Sequence, residues 1–307
     1  MEIYRSLSEI TVRRPSAVAL GFFDGLHPGH VELITRTVTF ANARGLSADI
    51  FTFREHPKNV MSGRMAVPRL LTGTEKLERL SALGVARVYD FNFADGFHTM
   101  PPEVFARSLL KEAFCAEAVF CGFNFHFGAE AAGDTAALKG FGEAFGFDAW
   151  VIEPVYAGDK LVSSSLIRSE VSSGDVESAA LMLGESYTLS GVVEEGQKLG
   201  RTFGFPTANI LPDPELTLPA RGVYVTETLV DGRRYSSVSN VGVNPTVSEE
   251  NAVRIETHLL DTNQELYGEN ITISFKKMLR TERRFESADA LTRQIAADAE
   301  SARRYFK

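Results

Sequence analysis

The chain is poor in several residue types that mark common architectures. Its 307 residues include two cysteines, Cys115 and Cys121, and one tryptophan. Two cysteines in so long a chain make neither a disulfide framework nor a metal-ligand set, so a reducing, cytoplasmic environment is expected. No apolar run is long enough to span a bilayer, and Met1 to Ile10 lack the charged-then-apolar pattern of a secretory signal. Membrane insertion and secretion are therefore not expected. Positive charge is in deficit, with 32 basic residues against 40 acidic ones and a formal net charge of −8. No Lys/Arg block marks a nucleic-acid groove, so polynucleotide binding is not expected either. Internal repeats and low-complexity tracts are absent. Whether the chain forms a homo-oligomer is left open by its sequence.

What is present is length and a change of texture part-way along. A chain of this size exceeds what one core usually supports, which predicts two domains of roughly 120 to 190 residues. In the first half, Ser16 to Phe23, Ala48 to Phe53, Ala86 to Phe91, Ala118 to Gly122 and Ala149 to Val155 read as strands, each mostly apolar on both faces. Between them lie amphipathic helical patterns. Val31, Ile34, Val38 and Ala41 form one stripe ended by Gly45; a second helix opens at Thr74 with Leu77, Leu80 and Leu83 inward and closes at Gly84. Alternation of this kind predicts an open parallel α/β sheet, in which ligands bind beyond the carboxyl ends of the strands. After a further helix, Asp175 to Leu183, the pattern shifts to short alternating strands. Val223 to Val230 and Arg234 to Val241 flank the hairpin turn Asp231-Gly232. Arg254 to Leu260 and Ile271 to Leu279 continue as strands, and a closing helix carries Ala288, Leu291, Ile295, Ala299, Ala302 and Phe306 on one stripe. The second half therefore reads as a small antiparallel β barrel with a C-terminal helix. The domain limits read from this pattern are 1–184 and 185–307.

Five segments carry chemistry. His27-Pro28-Gly29-His30 follows the apolar run that ends in Gly21-Phe22-Phe23, with a tight turn at Asp24-Gly25. Two imidazoles three residues apart share a face at a helix opening, where free N–H groups and the helix dipole favour phosphate; one capping and one packed histidine is the alternative. That arrangement suits the charge that develops on departing pyrophosphate in nucleotidyl transfer. Past another strand end, Asn124 in Cys121-Gly122-Phe123-Asn124-Phe125-His126-Phe127-Gly128 is an amide among apolar neighbours that needs hydrogen-bond partners. Ser163, Ser164 and Ser165 with Arg168 form a possible anion clamp, against a serine-rich cap with a surface arginine. In the second half, Gly196, Gly200 and Gly204 imply a backbone bending around a ligand. Thr207 and Asn209, two apart in an extended segment, offer hard oxygen ligands to magnesium, or belong to an ordinary Gly/Pro/Asn turn. Glu256, inside an apolar β run, is either a solvated outward residue or a general base.

Taken together, the order of motifs resembles the bifunctional prokaryotic riboflavin kinase and FAD synthetase family over nearly the whole chain. Gly21-Phe22-Phe23-Asp24-Gly25-Leu26-His27-Pro28-Gly29-His30, Phe53-Arg54-Glu55-His56-Pro57 and the serines leading to Arg168 match the family's adenylyltransferase module. Gly200 to Asn209, Gly222-Val223-Tyr224, Glu256-Thr257-His258 and Leu279-Arg280-Thr281-Glu282-Arg283-Arg284-Phe285 match its kinase module. The resemblance implies a Rossmann-like nucleotidyltransferase domain followed by the barrel, and two reactions. Glu256 would deprotonate riboflavin for attack on the γ-phosphate of ATP, with magnesium held by Thr207 and Asn209 and ATP also meeting Gly200 and Gly204. FMN would then attack the α-phosphorus of a second ATP bound by Gly21, Phe22, Phe23, His27, His30, Ser163, Ser164 and Arg168, with Asn124 near the phosphates, giving FAD and pyrophosphate. Flavin would meet Phe53, His56, Pro57, Phe123 and Phe125 in the first domain and Arg280 and Glu282 in the second. One segment departs from the family: its usual basic residues are missing from Phe125-His126-Phe127-Gly128-Ala129-Glu130-Ala131-Ala132-Gly133-Asp134, which implies weaker nucleotide or FMN binding there. A kinase with a weakened first domain and a flavin-binding protein without turnover are the rival readings.

Overall fold

The computed structural model describes residues 1–194, 205–243, 253–262 and 264–307. The chain divides into two compact units, Met1–Ser164 and Ser165–Lys307.

In the first unit six strands form one parallel sheet: β1 (Glu2–Tyr4), β2 (Ser16–Leu20), β3 (Ser47–Phe53), β4 (Arg87–Phe91), β5 (Ala116–Gly122) and β6 (Asp148–Ile152), in the order β1-β4-β3-β2-β5-β6. The crossovers include α1 (Pro28–Arg44), α2 (Pro57–Ser62), α3 (Gly73–Ala82), α4 (Pro102–Val104), which runs on into a wide-wound turn to Ala113, and α5 (Thr135–Phe145). The apolar-on-both-faces reading of the strands is borne out by β2, whose five residues are all buried. Val18 and Leu20 pack into one core layer with Phe51, Tyr89 and Phe114, while Ala17 and Ala19 pack into the other with Leu33, Ile34 and Leu80. Strand order runs one way from β2 through β3 and β4 and the other way through β5 and β6. The crevice beyond the ends of β2 and β5 is thus the topological switch point, where open α/β sheets bind ligands.

Several local expectations are corrected. Strand β2 stops at Leu20 rather than Phe23, because Phe23 (φ 55°), Gly25 (φ 80°) and Leu26 (φ 42°) turn the backbone left-handed. Helix α3 is capped by Thr72, not opened at Thr74, since Thr72 and Glu75 satisfy each other's backbone N–H in a capping box. Strand β6 ends at Ile152, short of Val155. Beneath the sheet, Arg87 and Asp49 form a buried ion pair at 2.7 Å, and Tyr89 donates to the same carboxylate at 3.1 Å.

A two-residue hairpin, β7 (Tyr156–Ala157) with β8 (Lys160–Leu161), follows β6. The second unit takes in most of α6 (Ser164–Ser173), then α7 (Val176–Leu183) and six antiparallel strands: β9 (Thr188–Glu194), β10 (Ala208–Ile210), β11 (Gly222–Val230), β12 (Arg233–Val243), β13 (Val253–Leu259) and β14 (Asn270–Thr281). They close into a barrel in the order β10-β13-β12-β11-β14-β9. The expected hairpin is present, with positive φ at both Asp231 (46°) and Gly232 (76°), the geometry that matches strand twist. Inward positions alternate along the strands. Ile210, Val241 and Ile255 fill one level, and Thr228, Ser237, Thr226, Ser239 and Thr257 run across another, each hydroxyl 2.8 Å from the next and all fully buried. On the outside, α8 (Ala288–Tyr305) covers Val225 with Ala299, Ala302 and the following Phe306.

Candidate active sites

The first site grows from the turn between β2 and α1. Residues 23–26 are held in their left-handed path by Asp24, whose carboxylate accepts from the Leu70 N–H (2.8 Å) and the Leu71 N–H (3.2 Å). Ser164 donates its hydroxyl to the Asp24 carbonyl at 2.8 Å. The turn delivers His27 as the N-cap of α1, with Pro28 at the first helical position. His27 and His30 stack, ring centroids 3.7 Å apart and planes 17° from parallel, and Phe23 meets His30 edge-on at 5.4 Å. A Cβ at Gly29 would come 3.3 Å from the His27 ring, which would have to yield by a few tenths of an ångström.

Both imidazoles are neutral. Burial pulls His27 down to about 4, and burial followed by the neighbouring His27 pulls His30 well below the ordinary histidine range. His30 keeps some exposed surface, but its Nδ1 is sealed from solvent, as is that of His27, and neither Nδ1 has a hydrogen-bond partner among the described residues. With nothing fixing Nδ1, the tautomer of each ring is set by what meets its Nε2. A phosphate oxygen there draws a proton onto Nε2 and makes each ring a donor.

Around this turn the other expected residues separate. Phe22 meets the His56 ring edge-on at 4.9 Å, and His56 caps α2 by accepting from the Lys58 N–H, with Pro57 at the first helical position. Gly21 gives Phe23 its place, because a Cβ there would fall 2.9 Å from the Phe23 ring. Phe53 packs against Phe51, Phe93 and Phe97, and Phe125 stacks on Phe127, so both rings serve the core layer. Phe123 remains 40 % exposed. Asn124 is also exposed, in a turn after β5, so water satisfies its amide; the argument from an amide among apolar neighbours does not hold. Arg168 is no surface arginine, being buried on α6. The departing loop closes through a bridge between Phe127 and Gly133, with Glu130 exposed and Asp134 capping α5. Asp24 was not singled out from sequence as an anchor; its partners lie 46 and 47 residues away, beyond any local signal.

The second site lies on the barrel. Asn209 on β10 pairs with Glu256 on β13, which pairs in turn with Asn240 on β12, so the three side chains form one row on the outer face. Asn209 is buried, with its amide 3.5 Å from the Thr207 carbonyl, and both residues border a recess also lined by Thr257, Glu265 and Tyr267. Glu256 is half-buried. Burial pushes its carboxyl above the ordinary range against the pull of Arg254, and Glu282 pushes it the same way. Glu282 lies over Gly242, where a Cβ would collide with its carboxylate. Arg254 is held by Glu194 at 2.9 Å. The Arg280 guanidinium grips Asp298 of α8 at 2.8 and 3.0 Å and lies over the Phe285 ring. Gly196, Gly200 and Gly204 lie outside the described residues. Asn240, in the same row, went unnoticed in the sequence because register is a long-range property.

The riboflavin kinase family model matches residues 183–306 and the FAD synthetase model residues 9–166. The chain belongs to the bifunctional riboflavin kinase and FAD synthetase family. Among its relatives, the bifunctional riboflavin kinase/FMN adenylyltransferase of Bacillus subtilis is 37% identical over 95% of this chain and 92% of its own. The Escherichia coli enzyme of the same name is 34% identical over 94% and 92%. A solved Streptococcus pneumoniae structure, described as a macrolide-efflux protein, superposes with a TM-score of 0.88 at 30% identity over 98% of both chains. No described helix of this family member is long and apolar enough to cross a membrane.

Proposed function

We propose that the chain makes FAD from riboflavin in two ATP-dependent steps, the first on the barrel and the second at the histidine turn. The observation that carries this reading is that each unit matches its own family model and holds the corresponding reactive groups together: Glu256 beside Asn209 in one, His27 stacked on His30 in the other. The functional modules are taken as 1–184 and 185–307, and the substrates as riboflavin, FMN and ATP. Dependence on ATP fits a cytoplasmic enzyme.

In the kinase step Glu256 accepts the proton of the riboflavin 5′-hydroxyl as its oxygen attacks the γ-phosphorus of ATP, and ADP leaves. A raised carboxyl pKa makes Glu256 the better base. The hydroxyl of Thr207 and the amide oxygen of Asn209 fit magnesium, which prefers hard oxygen ligands. No cluster of three or more His, Cys, Asp or Glu side chains suited to a metal exists among the described residues. When bound, magnesium neutralises phosphate charge. In the adenylyltransfer step a phosphate oxygen of FMN attacks the α-phosphorus of ATP, and the bond to pyrophosphate breaks. His27 and His30 donate to the charge gathering on the leaving group, with Ser163, Ser164 and Arg168 on phosphates and Asn124 close by. Phe123 offers a stacking surface for flavin, with His56 and Pro57 also assigned to flavin in the first unit and Glu282, beside Gly242, in the second. Because both reactions ask for positioning and charge stabilisation rather than covalent work, these groups suffice.

Purified protein incubated with riboflavin, ATP and magnesium, with the flavins then resolved by chromatography, tests the reading. FAD is expected. FMN alone would reduce the protein to a kinase, and unreacted riboflavin would remove both activities.

A further inference from the structure

Lys76, on the first turns of α3, is only 7 % exposed. Its ammonium donates to the Phe53 carbonyl at 3.1 Å and the Thr52 hydroxyl at 3.3 Å, and lies 3.9 Å from the Asp90 carboxylate. It also sits 5.2 Å over the ring of Phe22. The Thr52 hydroxyl passes the connection on, donating to the Phe22 carbonyl at 3.1 Å. One amine therefore ties together the carboxyl ends of β3 and β4 and the first residue pair of the turn that carries His27.

Burying an amine is costly, and a methionine would fill much the same volume without that cost, so packing alone does not explain it. Burial lowers the Lys76 pKa; Asp90 and Asp24 favour its charged form, while Arg69 and Arg5 oppose it. Arg5 in turn pairs with Asp90. The Asp90 carboxylate, the Phe53 carbonyl and the Thr52 hydroxyl thus partner an amine where the fold would be simpler without one. It is placed at the strand ends, on the ligand side of the sheet.

We propose that Lys76 is a positioning residue for adenylyl transfer, fixing Phe22 and the turn behind it so that His27 and His30 stay aimed at the triphosphate. It acts through Thr52 and Phe22 rather than by touching substrate. The inference rests on reading the histidine turn as the adenylyltransfer site. If wild-type protein makes no FAD from supplied FMN, that reading fails; if it does, the variants below judge Lys76 alone.

In the full-length protein, Lys76→Met should lower kcat for FAD formation from FMN by about tenfold or more, as expected for misplaced catalytic groups. KM for ATP should move less than kcat, and FMN formation from riboflavin, measured in the same preparation, should stay unchanged. Thr52→Val, nearly isosteric, should give a smaller loss of the same kind. The double variant should lose no more than Lys76→Met, since both cut one connection. An unchanged kcat for Lys76→Met, an equal loss in both reactions, or losses that multiply in the double variant would each overturn the proposal. Should Lys76→Met fail to fold, Thr52→Val alone decides: reduced FAD-forming kcat with intact kinase activity supports Lys76 as the anchor, and unchanged kcat overturns it.

Discussion

His27 and His30 stand on a turn, whereas Glu256 and Asn209 stand on paired strands, and the two units hold them by different physics. The turn has positive φ at Phe23, Gly25 and Leu26, two of which carry a side chain that resists that conformation. It stays in place because Asp24 takes N–H groups from Leu70 and Leu71 and a hydroxyl from Ser164. On the barrel no such anchors are needed. Pairing of Asn209 with Glu256 and of Glu256 with Asn240 aims the three side chains by strand alternation alone. A site on a turn is therefore sensitive to the side chains that anchor its backbone, and a site on a strand row to the register of the strands beside it.

The sharpest break between the units should come from Glu256→Gln. Loss of a general base typically costs about 10² to 10⁴ in rate. FMN formation should fall by that much while supplied FMN still becomes FAD, as resolved by chromatography. The reverse is expected of the double change His27→Ala/His30→Ala: FAD formation falls by about 10² or more with FMN formation kept, because donors to developing charge are removed. Loss of both activities in either variant would show that the sites are not separable.

Stability gives smaller contrasts. Trp150, the one tryptophan, lies on β6 and so reports the first unit by fluorescence. Asp49→Ala leaves the Arg87 charge buried without its carboxylate, and urea unfolding followed at Trp150 should show a loss of about 3–5 kcal/mol. Acidification should cost slightly less. Folded His27 stays neutral down to about 4, whereas the unfolded imidazole protonates near 6.5. The unfolded chain binds more protons in that window, so stability is full above pH 6.5 and falls as pH drops toward 4, by about 3 kcal/mol for this residue. His27→Gln should flatten that part of the stability curve. Smallest of all, Glu130→Lys restores positive charge to the departing loop and should lower KM for FMN by a few-fold at low salt, within about 1 kcal/mol for an exposed charge.

Much of this was legible in the sequence where the signal is local. The run from Ala17 to Leu20, the cap at Gly45 and the turn at Asp231-Gly232 each announce themselves within a few residues. Strand β1 did not, being three residues long with no buried position to set a period. Side-chain destinations were harder. Phe53 and Phe125 look alike to Phe123 on paper, yet only Phe123 is exposed, because the core layer beneath β3 and β5 claims the other two. Arg280 belongs to a matching motif, but its reach to Asp298 depends on where α8 docks. Asn240 joins Glu256 only through the register of β12 on β13, which no window of sequence contains.

The row of five hydroxyls inside the barrel has a consequence of its own. Four hydrogen bonds link Thr228, Ser237, Thr226, Ser239 and Thr257, yet five O–H groups are present, so one proton is left over at one end. Rotating the five C–O bonds together moves that surplus to the opposite end without displacing a heavy atom. Thr257, at one end of the row, therefore carries the surplus proton in one setting and a free lone pair in the other. The barrel interior thus holds a dipole that can reverse its sense without repacking the core.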